Sequence, residues 1–251
     1  MVDLSSNHFD GEIPFAFFQQ LWNLISFNVS NNTFNGSIPS SICLHSSSIR
    51  LLDFSFNKFS GSISRGLGMC SKLQIFHAGK KNLSRLLPND IYNATALQEI
   101  SMAHNSLYGV VDDRIVNLTN LIILDLNSNQ PSGIIPSNIG KLSSLKFMIL
   151  HTNNLAGSLP QSFLNCTNLI ELNLPFNNFE GVISMFNFSK FVHLSKIDLQ
   201  RNYFTGSFPV SLYSCKSLRA IRLSFNGIEG QIQPEILSLN SCPSSLLVEL
   251  D

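Results

Sequence analysis

Charge is scarce in this chain. Only 13% of the 251 residues are Asp, Glu, Lys or Arg, against a globular average of roughly 25%. Sixteen basic and sixteen acidic residues cancel, so no net field is available to hold nucleic acid or an anionic bilayer. No apolar run reaches the roughly 18 residues that a membrane helix needs, and no direct membrane insertion is expected. Met1-Val2-Asp3-Leu4 lacks the charged and apolar regions of a signal peptide. Catalytic signatures are missing too: there is no G-x-S-x-G, H-E-x-x-H or C-x-x-C. Gly66-x-Gly68 has no third glycine for a nucleotide loop, and Asp125-x-Asn127-x-Asn129 is followed by Gln130-Pro131 where a calcium loop requires glycine. We therefore expect no enzyme activity, no cofactor and no metal site.

What is present is a repeat. Ile197-x-Leu199-x-x-Asn202-x-Phe204-x-Gly206-x-Phe208-Pro209 recurs in the same frame every 24 or 25 residues, starting at Val2-x-Leu4-x-x-Asn7. A period of that length marks a stacked solenoid. The frame places Asn7, Asn32, Asn57, Asn105, Asn129, Asn153, Asn177, Asn202 and Asn226 at one position, with Lys81 in the fourth unit, so ten units fill residues 1–251 as one domain. In each unit the apolar-x-apolar alternation, as in Leu124-x-Leu126, puts two side chains on one face of a short strand. One strand cannot bury that face alone, so neighbouring units must stack as a parallel sheet.

The asparagine three residues after the second strand leucine ends the strand, and its amide can donate to and accept from adjacent turns. A stacked asparagine ladder is expected. Glycine and proline then turn the chain onto the outer side. Two units depart from the frame. Lys81 has no acceptor to offer a neighbouring donor, and Arg85 replaces the glycine of the same unit. In the sixth, Pro131 removes a backbone donor and an apolar plug.

Cys70, Cys166 and Cys215 each lie six residues before the first strand residue of their unit, a column held elsewhere by Leu21, Leu118 and Leu142. We expect them to act as small core hydrophobes with no bridge among the three. Cys43 and Cys242 fall outside that column, and their pairing is open.

Solenoids bind through the face their strands present. The column between the strand leucines holds His77, Asp125, Asp198 and Arg222, and the column before the asparagine holds Phe56, Lys80, His104, Phe176, Arg201 and Phe225. Two clusters are predicted on the inner face: Lys80 with His77 and His104, and Arg201 with Arg222, Phe176 and Phe225. Arginine forks suit carboxylate or sulfate-like anions, and exposed aromatic rings add contact area.

The consensus L-x-L-x-x-N-x-L-x-G-x-I-P resembles the plant-specific class of leucine-rich repeats. That class implies an α/β solenoid, a right-handed horseshoe or superhelix with parallel strands on the concave face and little helix. Further stretches are similar to ectodomains of plant leucine-rich repeat receptor kinases for tyrosine-sulfated peptides, the phytosulfokine and tyrosine-sulfated glycopeptide receptors. They include Phe27-Asn-Val-Ser-Asn-Asn32, Asn82-Leu-Ser84, Asp90-Ile-Tyr-Asn-Ala-Thr95, Ile139-Gly-Lys-Leu-Ser143, Asn165-Cys-Thr167 and Tyr213-Ser-Cys-Lys216. The resemblance implies a recognition module on the extracellular side of the plasma membrane. It would bind a peptide hormone or protein partner non-covalently, with a leucine-rich repeat kinase as co-receptor.

N-glycosylation sequons at Asn28, Asn31, Asn35, Asn82, Asn93, Asn117, Asn165 and Asn187 suit that compartment. An island domain, a membrane span and a kinase accompany such repeats in the family, and none is in this sequence. Both ends look cut and lack polar capping units, so a fragment of a longer receptor with poor solubility on its own is expected. The alternatives are a soluble interaction protein, such as an enzyme inhibitor or decoy, and a non-functional truncated product.

Overall fold

A computed structural model of the chain describes residues 1–80, 82–236 and 247–249. Its backbone is organised by one long parallel sheet. Eleven short strands, from Val2–Asp3 to Leu247–Glu249, pair strictly in sequence order, one in each of the ten units and an eleventh after them. The register is unshifted: Met148 pairs with Leu172 and Leu172 with Ile197, so each apolar position stacks on its equivalent. Most strands show one buried residue between two partly exposed ones. This is the period-two alternation that the leucine spacing predicts.

The core is the stack of those inward side chains. Leu52, Phe76, Ile100, Leu172, Ile197 and Ile221 are all fully buried. Phenylalanines fill the wider gaps, with Phe18, Phe27, Phe54 and Phe59 in edge and tilted contact near the start of the chain. A second knot joins Phe163, Phe186, Phe188 and Phe191.

The asparagine ladder forms as predicted. Asn177 is typical: its Nδ2 donates to the carbonyls of Leu150 (2.9 Å) and Leu174 (3.0 Å), and its Oδ1 accepts the Leu155 N–H at 3.0 Å. One side chain thereby satisfies backbone groups in two repeats, which is why it tolerates burial. Lys81 lies outside the described residues.

Pro131 corrects one expectation. The proline is buried inside the strand Gln130–Ile134, so it supplies the plug it was expected to lack. With no N–H at Pro131, the Oδ1 of Asn153 accepts the backbone N–H of Asn129 instead, at 3.1 Å.

Every residue just before the ladder position adopts a left-handed backbone, with φ between 49° and 57° from Ser6 to Phe225. The strand ends there in a sharp turn that aligns the asparagine with its neighbours. Phe and Thr rarely accept such φ values, so this turn is imposed by the ladder and not by local preference.

The outer side is more regular than the sequence suggests. Beyond the ladder a second parallel sheet of six strands runs from Tyr108–Val110 to Gly227–Glu229, preceded by two two-stranded pieces. Nine of the repeat glycines, such as Gly133 and Gly157, sit in these strands or at their ends with positive φ. Arg85 stands at the tenth such position without positive φ, and there the pairing thins to a single bridge between Arg85 and Tyr108. Short 3₁₀ segments close most repeats, and the one α-helix among the described residues is Ile42–His45. Helix content is low, as expected.

The cysteine column needs a second correction. Cys70 is not a free core thiol but is bonded to Cys43, with Cα atoms 4.9 Å apart. Cys43 lies three residues before its own column, which is about one helical turn. In the Ile42–His45 helix that offset brings it beside Cys70 of the next repeat. Cys166 and Cys215 do behave as predicted: both are buried free thiols, pushed by burial to about 12 and about 11 respectively. Cys242 lies outside the described residues.

Candidate recognition face

Four side-chain columns project from the long sheet of each repeat: the residues before, between and after the two inward apolar positions, and the left-handed residue that follows. Because adjacent strands are only about 4.8 Å apart, residues in one column touch across repeats. The chemistry of the face is therefore set by runs down columns.

The left-handed column carries the most distinctive group. The Arg201 guanidinium lies over the Phe225 ring at 4.1 Å and over the Phe176 ring at 5.2 Å. Both rings remain about half exposed (56% and 50%), so the stack stands in solvent and is not a core element. Among the described residues no carboxylate pairs with Arg201. Its flat faces are directed at aromatic rings, and its N–H groups can receive a planar anion.

Arg222 is oriented differently from the sequence-based cluster. It pairs with Asp198 at 3.5 Å and is directed along the sheet. Asp198 is almost fully buried, and burial pushes its carboxyl above the usual range against the opposing pull of the Gln200 N–H and Arg222. Beside it, Lys196 bonds Glu171 at 2.9 Å.

In the other predicted cluster Lys80 and His104 hold the left-handed position of adjacent repeats, while His77 is paired with carboxylates. His77 sits between Asp53 (3.8 Å) and Glu99 (3.4 Å), in register with Asp53 on the preceding strand. The adjacent Asp53 carboxylate raises the imidazole above its ordinary range, outweighing burial, with Glu99 adding to it. Burial alone would raise the Asp53 carboxyl, but the neighbouring His77 and the hydrogen bond from the Ser55 N–H bring it below the usual range. Lys80 turns to the Phe56 ring, 4.5 Å away, and His104 is exposed at its own left-handed position.

Glu99, Glu171, Lys196 and Gln200 belong to the face and were missed. They stand in the columns before and after the ones read from the sequence. The same alternation, carried one residue further each way, identifies them.

Of the sequons, Asn93, Asn117 and Asn165 share one place: each ends a 3₁₀ segment on the outer side of its repeat and is exposed. Asn31, Asn35, Asn82 and Asn187 are also exposed. Asn28 is half-buried in a strand, accepting the Ser30 N–H at 3.0 Å. Among the described residues no group of His, Cys, Asp and Glu is arranged to hold a metal ion, and no helix is long and apolar enough to cross a membrane.

The Leucine Rich Repeat family model matches at residues 23–44, 120–142 and 193–215, in the frame that builds the sheet and ladder. The chain is a leucine-rich repeat solenoid. No curated protein matches it, but solved structures do. The leucine-rich repeat ectodomain of the Arabidopsis thaliana membrane receptor kinase GASSHO1/SCHENGEN3, in complex with CASPARIAN STRIP INTEGRITY FACTOR 2, is 30% identical. It superposes with a TM-score of 0.89 over 99% of this chain and 30% of that one. The Arabidopsis receptor kinase HAESA, in complex with the peptide hormone IDA and the co-receptor SERK1, is 25% identical, with a TM-score of 0.88 over 99% of this chain and 42% of that one. The plant peptide hormone receptor RGFR1, in complex with RGF2, is 26% identical, with a TM-score of 0.70 over 95% of this chain and 45% of that one. This leucine-rich repeat chain thus spans less than half the length of each of these relatives. They are plant leucine-rich repeat receptor kinase ectodomains, the family that its sequence resembles.

Proposed function

We propose that this leucine-rich repeat chain is a non-catalytic, extracellular recognition module. It binds an extended peptide or protein segment on its concave face through an acidic or sulfated group seated at Arg201. One observation carries this reading: a guanidinium stacked between two half-exposed phenylalanine rings, with no carboxylate partner among the described residues. Stacking fixes the fork before a ligand arrives, which lowers the entropy of ordering it, and the rings offer apolar contact beside it.

The compartment is supported by the Cys43–Cys70 disulfide, a bond characteristic of oxidising surroundings. Seven exposed sequons agree with it. Several solved relatives were captured with peptide hormones, and one of them with a co-receptor. By analogy, a second leucine-rich repeat kinase is proposed as the partner in signalling, at the plasma membrane and as part of a longer receptor.

The test is calorimetry with matched tyrosine-sulfated and unsulfated peptides on secreted protein. Preference for the sulfated form, reduced about tenfold or more by Arg201→Gln, supports the proposal. Equal binding of both forms, unaffected by Arg201→Gln, contradicts it.

A further inference from the structure

Acids on the strand face pair with cations on neighbouring strands, and from the third repeat on one described acid has no such neighbour. Among the described side chains from the third repeat on, each carboxylate in the columns before and between the inward residues has a cation on a neighbouring strand, apart from Asp125. Asp53 and Glu99 share His77, Glu171 holds Lys196, and Asp198 holds Arg222. The register neighbours of Asp125 are Ser101 and Ile149, which carry no charge.

Asp125 is not disordered for want of a cation. Its Oδ1 accepts the Asn127 side-chain N–H at 2.6 Å and its Oδ2 accepts the Ser101 hydroxyl at 3.2 Å. These bonds fix the carboxylate while leaving its charge uncompensated. His151, whose ring feels the Asp125 charge, is pushed towards its neutral form chiefly by burial, so it does not supply the missing cation.

We infer that Asp125 is a second ligand subsite, receiving a lysine or arginine side chain, or a terminal amine, of the same peptide whose acidic group meets Arg201. This rests on the recognition face described above and adds polarity and spacing to it. Asp125 and Arg201 are three strands apart, about 14 Å across the sheet. With the offset along the strands, about four to five extended residues bridge them. Phe147 and Ile149, half-buried on the first of the two intervening strands, give the stretch next to Asp125 an apolar floor, and Glu171 and Asn173 follow on the second. The ligand therefore has a basic residue, a short apolar stretch and an acidic residue in fixed order.

The ligand class can be read without knowing the natural ligand. A phage-displayed random peptide library is panned on the secreted chain and, in parallel, on Asp125→Asn and Arg201→Gln. The expected result is enrichment of peptides with a base about four to five positions from an acid. Replacing that base by alanine weakens binding about tenfold on the parent chain and leaves it unchanged on Asp125→Asn. Acid selection without base selection, or base selection that persists on Asp125→Asn, overturns the subsite while leaving Arg201 as the anchor. Selection indifferent to Arg201→Gln overturns the recognition face, and the subsite with it.

Discussion

The Oδ1 of Asn153 accepts the backbone N–H of Asn129, at 3.1 Å, and not that of the residue two further on. In the other described rungs the asparagine takes the later N–H, as Asn177 does from Leu155 and Asn202 from Phe179. Proline at position 131 is the cause, since it has no proton to give.

The two kinds of rung differ in what their loss exposes. The Asn129 N–H has a second acceptor in the Thr152 carbonyl at 3.2 Å, whereas the described bonds give the Leu155 N–H only Asn177. Asn177→Ala should therefore destabilise the fold by about 1–3 kcal/mol more than Asn153→Ala, the cost of one orphaned buried donor. Urea denaturation of the two variants measures the difference. Equal midpoints and slopes would show that the ladder compensates by moving.

His77 makes stability depend on pH. Its folded value lies above the unfolded imidazole value of about 6.5, because Asp53 and Glu99 hold the proton. The stabilisation is fully present below the unfolded value and is lost as pH rises through the folded one. Asp53, lowered in the folded state, adds stability that is lost only as pH falls through its own folded value, in the acid range. Denaturation followed across the imidazole range should show stability declining towards alkaline pH, with the decline removed by His77→Gln. Parallel profiles for parent and variant would contradict this.

The Cys43–Cys70 bridge closes a 27-residue separation, for which chain entropy predicts roughly 3–4 kcal/mol of stabilisation. The double variant Cys43→Ala, Cys70→Ala should lose about that amount. Alkylation of native protein without reductant should leave Cys166 and Cys215 unmodified, since both are buried with raised thiol values. Rapid native labelling of either would place it at the surface.

Asn93, Asn117 and Asn165 stand on the outer side, away from the strand face. Peptide mapping of secreted protein should find glycans there, and Asn→Gln at all three should leave peptide affinity unchanged. A gain in affinity on their removal would move the binding face.

Much of this fold was legible because the period is enforced by burial. A leucine spacing of two can be satisfied only by a strand with one covered face, so the long sheet, its register and the ladder follow from the frame. The left-handed turn was not legible, because Phe176 or Thr152 gives no sign of a conformation that the neighbouring asparagine imposes. The outer sheet was missed for a similar reason: its strands, such as Asn154–Gly157, carry small and polar residues without apolar alternation. Of the candidate site, Arg201, Phe176 and Phe225 assembled as read, since column and repeat number determine proximity there. His77 and Arg222 were assigned to other groups, because carboxylates on adjacent strands compete for them and two of the four outward columns had not been read. The Cys43–Cys70 pair escaped because it joins different columns, through a helical turn that the frame does not specify.

The most direct test of the account is the affinity of one acidic peptide, selected on the parent chain, for three variants measured side by side: Arg201→Gln, Phe225→Ala and, on the outer side, Lys141→Gln. The account predicts losses of about tenfold or more for the first two and none for the third. Retained affinity in Arg201→Gln, or a loss confined to Lys141→Gln, would contradict binding on the strand face.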